Sequence, residues 1–490
     1  MSTSFADPSL LLAGVSREFL LRHRVCPARF GPDGSLVLLI VADSSYSAIT
    51  ELGQFYQRET QTEFVEPGIL EQQIETLVNR TERSLQVERL SDENDDRLAD
   101  LRELSSQPPV IRYVNLLLRE AYDARASDVH LEATRGGLIA RFRLDGALVA
   151  APEPPRQMQQ AVVSRLKAIA ELDIAERRRP QDGRIRVRLA ERELDLRVST
   201  VPTVHGESVV LRLLDRGGKP VGLADLGMRA ETQSEFERLI ARPNGMLLVT
   251  GPTGGGKTTT LYAALQLRDS TSEKIITVED PVEYELAGIT QVPVHRQAGV
   301  TFATALRSIL RQDPDVVMVG EMRDQETAEI AVQAAMTGHL VLSTLHTNDA
   351  VGTIPRLLDL GIPDYLISGT LEGVLAQRLV RRICAGCAVS EPGSAALLMS
   401  LAGREIEPMI VRRGTGCAAC RGTGFLGRTG LFELLVFTDP IRAAISRRCT
   451  VGALRQLAVE QGMTPLREHG IALVREGITT VDEVLRVVQV

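Results

Sequence analysis

The residues with the clearest chemical potential are 251–258, which read Gly-Pro-Thr-Gly-Gly-Gly-Lys-Thr. They match G-x-x-x-x-G-K-[ST], a P-loop whose backbone N–H groups wrap a phosphate group. An apolar run at 246–249 precedes this P-loop and a helix-compatible run at 258–265 follows it, which is the context that phosphate binding needs. Lys257 is predicted to reach the β- and γ-phosphates, and the Thr258 hydroxyl to ligate Mg²⁺. The predicted cradle consists of Gly251, Pro252, Thr253, Gly254, Gly255, Gly256, Lys257, Thr258 and Thr259.

Acidic residues follow two further apolar runs. Residues 275–278 lead into Glu279, and residues 316–319 lead into Glu321. Because ligands of open α/β sheets bind at the carboxyl ends of the strands, we expect both acids to lie near the P-loop. Glu321 is predicted to ligate Mg²⁺, directly or through water, and Glu279 to polarise the attacking water. The alternative is that these acids only cap the helices that follow.

Two histidines bracket the apolar run 340–344, with His339 before it and His346 after it. A histidine just past the end of a strand can contact a γ-phosphate and report its loss. The competing interpretation of each is an ordinary core or turn histidine. The functional interpretation of both depends on the family resemblance described below.

Four of the six cysteines form two pairs. Cys384 and Cys387 make one C-x₂-C motif, and after 29 intervening residues Cys417 and Cys420 make a second. Two such knuckles predict a tetrahedral zinc site with four thiolate ligands. The alternative is a set of four buried thiols.

The composition narrows the class of protein. The chain has 490 residues, 44% of them hydrophobic and 24% charged, as in globular proteins with several domains. A net charge of −7 disfavours general nucleic-acid binding. No run approaches the roughly 20 apolar residues of a membrane span, and no secretory signal is evident. We therefore expect a cytoplasmic protein without a transmembrane segment.

Several segments together resemble the secretion ATPases, and more specifically the type II secretion ATPase family, to which the type IV pilus-extension ATPases are close relatives. Segments 126–132 and 141–146 are similar to the second N-terminal domain of that family. The family usually has Ser where this chain has Gly255, so we expect weaker nucleotide binding at most. The segments that resemble its Walker A, Asp-box, Walker B and His-box motifs are 251–262, 277–284, 306–315, 319–324, 337–339 and 346–348.

The resemblance implies an α/β fold. A RecA-like P-loop core would be preceded by a PAS-like α+β domain and a small N-terminal α/β domain, and would carry the four-cysteine zinc segment. The expected division is an N-terminal partner-docking domain at 1–80, a linker at 81–107, the PAS-like domain with its connector at 108–240, the ATPase core at 241–383, the zinc segment at 384–430 and a helical region at 431–490.

The resemblance also implies a homohexameric ATPase that uses ATP, Mg²⁺ and Zn²⁺ to drive pseudopilus assembly for protein export. It would lie at the inner membrane through secretion-platform proteins that dock on residues 1–80, without contacting nucleic acid. Arginine suits bidentate phosphate contact, and the resemblance implies that Arg184, Arg197 and Arg212 reach a nucleotide in the assembled ring, in cis or in trans. Arg307 and Arg311 are further candidates, and a solvated or salt-bridged face is the alternative for all of them.

Four other functions stay open on the sequence. A type IV pilus assembly ATPase is the nearest alternative, followed by a DNA-uptake or conjugation ATPase of the same superfamily. A nucleic-acid helicase is disfavoured by the acidic balance. A nucleotide-gated scaffold without hydrolysis is the fourth.

Overall fold

The chain forms two compact units, Met1–Gly217 and Gly218–Val490. Most of the predicted linker at 81–107 lies outside the residues that the structure describes. The structure is a computed structural model, and it describes residues 17–31, 34–56, 58–84, 88–89, 108–189, 192–215, 221–405 and 407–488.

The helices and strands alternate along most of the chain. The helices are α1 (Arg17–His23), α2 (Tyr46–Tyr56), α3 (Pro67–Ser84), α4 (Pro108–Asp123), α5 (Gln159–Ile169), α6 (Ala230–Ile240), α7 (Lys257–Leu265), α8 (Phe302–Ile309), α9 (Gln325–Met336), α10 (Thr353–Asp359), α11 (Asp364–Thr370), α12 (Ala395–Ala402), α13 (Asp439–Ser446), α14 (Val451–Glu460), α15 (Leu466–Arg475) and α16 (Val481–Val487). The strands are β1 (Val25–Phe30), β2 (Leu36–Ile40), β3 (Thr60–Phe64), β4 (Glu88–Arg89), β5 (Asp128–Thr134), β6 (Gly137–Leu144), β7 (Ala147–Ala150), β8 (Gln181–Leu189), β9 (Arg192–Thr203), β10 (Gly206–Asp215), β11 (Gly245–Thr250), β12 (Ile275–Glu279), β13 (Thr290–Pro293), β14 (Val316–Val319), β15 (Leu340–Leu345), β16 (Leu371–Ile383), β17 (Ala388–Pro392), β18 (Ile410–Gly414) and β19 (Phe425–Val436).

The first part of Met1–Gly217 is a small α/β layer. Strand β2 pairs antiparallel with β1 and parallel with β3, so α2 forms the crossover between the two parallel strands. All five residues of β2 are buried, as its continuous apolar sequence predicts. Leu20, Leu52 and Leu70 from the helices complete this core.

The second part of Met1–Gly217 is an α+β layer. Within the described residues its sheet has the order β4-β8-β9-β10-β5-β6-β7, and every neighbouring pair is antiparallel. In β6, buried Leu138, Ala140 and Phe142 alternate with more exposed residues, so one sheet face packs on a core and the other faces solvent. Helices α4 and α5 supply the rest of that core, including Leu117 and Leu166.

Gly218–Val490 is built on a mostly parallel sheet of order β13-β12-β14-β15-β11-β16-β19, as far as the described residues extend. Only the β16–β19 pair in it is antiparallel. Strands β11, β12, β14 and β15 are buried along their whole length because helices cover both faces, so separate hydrophobic clusters form on the two sides. The predicted α/β fold with a parallel core sheet is thus confirmed. No helix in the described ranges is long and apolar enough to cross a membrane.

Candidate nucleotide site and four-cysteine centre

The P-loop joins β11 to α7 and lies directly on β16. Gly256 has φ +83°, and a Cβ there would lie 2.8 Å from the Gln377 side-chain nitrogen. Gly251 has φ +152°, and a Cβ there would lie 2.4 Å from the Gln377 carbonyl oxygen. Glycine is therefore required at both positions by the backbone conformation and by the close approach of β16. The other side of the loop is open, with Pro252, Thr253, Gly254 and Thr258 exposed.

The Lys257 side chain bends back onto the loop that carries it. Its ammonium donates to the carbonyl oxygens of Gly251 at 2.8 Å and Pro252 at 3.0 Å. Burial lowers the pKa of Lys257 to about 8, an effect that Glu321 opposes and Arg378 reinforces. The ammonium of Lys257 is thus hydrogen-bonded to two carbonyl oxygens, which it would exchange for phosphate oxygens in its predicted role.

Glu321 and His346 lie close together near Lys257. A Glu321 carboxylate oxygen is 2.7 Å from Arg323 Nε and 3.5 Å from His346 Nε2. Burial lowers the pKa of His346, and the Lys257 charge lowers it further while Glu321 raises it. His346 is therefore mainly neutral at pH 7 and can donate or accept a hydrogen bond. The carboxyl ends of β14 and β15 thus bring together an acid, a neutral imidazole and the P-loop lysine.

Glu279, at the end of β12, is fixed by several hydrogen bonds from neighbouring side chains. Its side chain is buried, and its oxygens accept hydrogen bonds from the Tyr262 hydroxyl, the Thr277 hydroxyl at 2.5 Å and the Gln291 amide at 3.1 Å. Burial, together with this carboxylate, raises the pKa of Tyr262, which stays a hydrogen-bond donor. Glu279 would have to release one of these donors before it could polarise a water molecule.

His339 does not join this cluster. It precedes β15, and its carbonyl oxygen accepts the N–H of Gly245, the first residue of β11, at 3.1 Å. Because β11 and β15 are parallel, His339 lies at the amino-terminal edge of the sheet, and the P-loop lies at the carboxyl-terminal edge. Its Nδ1 is 2.9 Å from the Ala334 carbonyl oxygen, which marks a turn histidine. The prediction that His339 contacts the γ-phosphate is wrong for the site of its own unit.

The three predicted phosphate-binding arginines of Met1–Gly217 form a row. Arg184 on β8 lies opposite Arg197 on β9, which lies opposite Arg212 on β10. Arg184 and Arg212 are exposed and Arg197 is half-buried. Arg212 Nε donates to the carboxylate of Asp128 at 3.0 Å. The three arginines therefore lie side by side on one face of the sheet, and Asp128 balances the charge of Arg212 there.

The cysteine pairs converge into one centre. The sulfur atoms of Cys384, Cys387, Cys417 and Cys420 all lie within 4.8 Å of one another, and nearest neighbours are 3.7–3.8 Å apart. A tetrahedral zinc ion with Zn–S bonds of about 2.3 Å requires S–S separations of about 3.8 Å. The residues present therefore fit zinc, which would link the two C-x₂-C motifs.

Backbone N–H groups stabilise negative charge on the sulfur atoms of this centre, which favours binding of a cation. Those of Cys417 and Gly424 donate to the Cys420 sulfur at 3.1 and 3.2 Å, and that of Gly416 donates to Cys387 at 3.3 Å. Burial by itself would raise the pKa of the Cys420 thiol, but the two N–H groups help lower it to about 6. The N–H groups therefore favour the thiolate form of Cys420, which is the form that binds a metal.

Two residues of the site were missed in the sequence. Gln377 and Arg378 lie on β16 beneath the P-loop, and both are buried. The Gln377 amide oxygen accepts the Thr260 hydroxyl of α7 at 2.6 Å. The available signal was a polar Gln-Arg pair inside the apolar run at 374–380, since buried polar groups need specific partners.

The fold and the site together define a P-loop nucleotide-binding protein with a parallel core sheet. The family model described as "Type II/IV secretion system protein" matches residues 103–486, so this chain belongs to that family.

Individual relatives cover most of the chain. The type II secretion system protein E of Xanthomonas campestris pv. campestris is 50% identical over 397 residues, which are 80% of this chain and 70% of that protein. The type IV pilus assembly ATPase PilB of Myxococcus xanthus is 41% identical over 487 residues, 96% of this chain and 85% of that protein. Among solved structures, the pilus retraction motor PilT with bound ADP is similar with a TM-score of 0.54 and 27% identity, over 76% of this chain and 96% of that one.

Proposed function

We propose that this chain is the ATPase of a type II secretion system, which couples ATP hydrolysis to pseudopilus assembly and protein export. The observation that carries the proposal is the convergence of Lys257, Glu321 and His346 at the open face of a P-loop. Membership of the secretion family and the 50% identity to a type II secretion system protein E favour this system over the others.

The P-loop residues divide the chemistry among them. The backbone N–H groups of residues 251–259 wrap the phosphates, and Lys257 neutralises the β- and γ-phosphates. Thr258 and Glu321 hold Mg²⁺, which neutralises charge that develops on the phosphate oxygens. His346 contacts the γ-phosphate and senses its loss, and Glu279 orients or polarises the attacking water.

The arginine row completes the site in an assembled homohexamer. Arg184, Arg197 and Arg212 would supply positive charge to the γ-phosphate, as an arginine finger does. The adjacency of the three arginines on one sheet face supports this role, and Arg212 would exchange Asp128 for the phosphate.

Residues 1–80 are proposed to dock on inner-membrane secretion-platform proteins, so that a cytoplasmic protein is held at the membrane by its partner. The described part of this region exposes large apolar side chains: Tyr46 is 83% and Phe64 is 74% exposed, and Ile69 is 41% exposed. Exposed apolar groups of this kind mark interaction surfaces when they are contiguous.

Zinc at the four cysteines would stabilise the fold of 384–430.

A phosphate-release assay on wild type and Glu321→Gln tests the enzymatic part. We expect the variant to bind ATP and to hydrolyse it poorly, because the substitution preserves shape and removes charge at the metal. Unchanged affinity and turnover would contradict the role of Glu321. A wild type that binds ATP without releasing phosphate would identify a nucleotide-gated scaffold.

Type IV pilus assembly is the second candidate, favoured by the likeness to PilB over 96% of this chain. Complementation separates the two systems: the gene is expressed in one strain that lacks its type II secretion ATPase and in another that lacks its pilus-extension ATPase. We expect export to be restored, and restored pili without export would overturn the choice. Hydrolysis stimulated by DNA would indicate a nucleic-acid motor.

A further inference from the structure

The segment that follows His346 is fastened to a buried arginine beneath the P-loop. Arg378 Nη2 donates to the Asn348 carbonyl oxygen at 2.6 Å, and its Nε donates to the Val487 carbonyl oxygen at 3.2 Å. Its Nη1 donates to the Gln377 carbonyl oxygen at 3.2 Å. A Cβ on Gly251 would lie 3.1 Å from that same Nη1, so the guanidinium also supports the start of the P-loop.

The same segment has two more attachments to the C-terminal helices. The Asp349 carboxylate bonds Arg455 of α14 at 2.6 Å. The N–H of Ala350 donates to the buried Glu433 carboxylate at 2.8 Å, and the N–H of Leu466, the first residue of α15, donates to it at 3.1 Å. Residues 348–350 are therefore joined to α14, α15 and α16 by three consecutive contacts. A displacement of this segment would therefore change its contacts with all three helices.

The contacts at position 378 require an arginine rather than a lysine. Its planar guanidinium carries five N–H donors in a fixed fork, so it can bond several carbonyl oxygens that lie in different directions. Val487 ends α16, where carbonyl groups have no partner within the helix. One side chain thereby satisfies a helix terminus and the segment after His346 while it supports the P-loop. A lysine has one nitrogen and could not hold all of these groups in the same geometry.

We propose that Arg378 is a positioning residue that holds the P-loop and the segment after His346 in register, and that it transmits the nucleotide state to helix α16. The inference rests on the ATPase function proposed above. Movement of His346 when the γ-phosphate is lost would displace Asn348, and Arg378 would carry that displacement to Val487. The C-terminal helices are thus a part of the molecule that senses the reaction.

Arg378→Lys tests this proposal, with Arg381→Lys as the matched control. Arg381 fastens the same strand to the same helix, because its side chain and its backbone N–H both bond Glu483, at 2.5 and 3.1 Å. It therefore shares the anchoring of α16 but not the contacts to Asn348 and Gly251. Both variants are measured for kcat, for affinity toward a fluorescent ATP analogue and for amide exchange of residues 481–487 with and without that analogue.

We expect Arg378→Lys to lower kcat by about tenfold or more, as small displacements near a reacting phosphate do. Nucleotide affinity should change by less than about threefold, and the nucleotide-dependent change in exchange at 481–487 should disappear. Arg381→Lys should keep both kcat and that exchange response.

Equal losses in the two variants would show that Arg378 only anchors α16 and would overturn the proposal. So would an Arg378→Lys protein that keeps kcat and the exchange response. If the wild type itself does not hydrolyse ATP, the ATPase function fails, and the exchange response in wild type and Arg378→Lys still decides whether Arg378 couples nucleotide binding to α16.

Discussion

The four-cysteine centre and the P-loop site differ in how complete each one is. The four sulfur atoms already lie within 4.8 Å of one another, and three of their separations, 3.7–3.8 Å, match those that zinc requires. At the P-loop, by contrast, Lys257 bonds its own loop and Glu279 is held by three protein donors. The four-cysteine centre is thus arranged for its predicted ligand, whereas Lys257 and Glu279 would have to release protein contacts to fill their predicted roles.

One strand connects the two regions. Strand β16 passes beneath the P-loop at Gln377 and ends at Ile383, one residue before the first metal ligand. Its far end is fixed by Glu483 of α16, which bonds Arg381. The difference between the two regions can therefore be tested by substitutions at the cysteines, at the P-loop and at Glu483, which contacts β16 between them.

The largest expected effect is the loss of the metal. We expect one Zn²⁺ per chain, and Cys420→Ser or chelation should unfold 384–430, because zinc supplies about 10–16 kcal/mol of apparent folding free energy in small zinc domains. Metal analysis by mass spectrometry and protease sensitivity of this segment measure the outcome, with Cys449→Ser as the control outside the cluster. Absence of zinc, with the thiols of Cys384, Cys387, Cys417 and Cys420 freely titratable in the native protein, would contradict the site.

Lys257→Ala should abolish hydrolysis without unfolding the protein. Loss of a charge contact to the transition state costs about 2–4 kcal/mol, which is roughly a 30- to 900-fold loss of turnover. Lys274→Ala is the control, since Lys274 is an exposed lysine at the other edge of the same sheet. More than about a tenth of wild-type activity in Lys257→Ala would remove the assigned role.

Glu483→Gln tests the contact between α16 and β16, the strand that connects the two regions. The measured quantity is the pH dependence of the free energy of unfolding. Burial raises the pKa of Glu483, but hydrogen bonds from Arg381 and Arg486 outweigh it and lower the pKa to about 2, from 4.5. A depressed pKa contributes stability above pH 4.5 that is lost as the pH falls toward 2. At pH 7 the variant should be less stable by about 3 kcal/mol. Denaturant unfolding should show this difference shrinking below pH 4.5, and a difference independent of pH would contradict the ion pairs as its cause.

The smallest expected effect is at Gly255. Its φ lies outside the left-handed region, and a Cβ there would lie 3.0 Å from the carbonyl oxygen of the exposed Pro252, which can move slightly. Serine is therefore tolerated and should order the open loop, which is worth about 0.4–1 kcal/mol. We expect Gly255→Ser to bind ATP about two- to fivefold more tightly in a fluorescence titration. Weaker binding would mean that the loop needs the freedom of glycine.

Features that depend on adjacent residues or fixed spacing could be predicted from the sequence. The P-loop context, the C-x₂-C pairs and the parallel sheet are of this kind, because each reports a local backbone requirement. The polar pair Gln377 and Arg378 could be noticed in the sequence, but its position beneath the P-loop could not be predicted, since that depends on β16 being the neighbour of β11. His339 was misjudged because only the direction of β15 shows at which edge of the sheet it lies.

The most direct test of the central proposal, that assembly completes the reactive site, is specific ATPase activity measured across the monomer-to-oligomer transition. We predict that activity per chain rises with protein concentration. Alanine at Arg184, Arg197 or Arg212 should lower turnover more than it lowers ATP affinity, because these residues would complete the site only after assembly. Activity per chain that stays flat across the transition, with unchanged turnover in all three variants, would contradict the account.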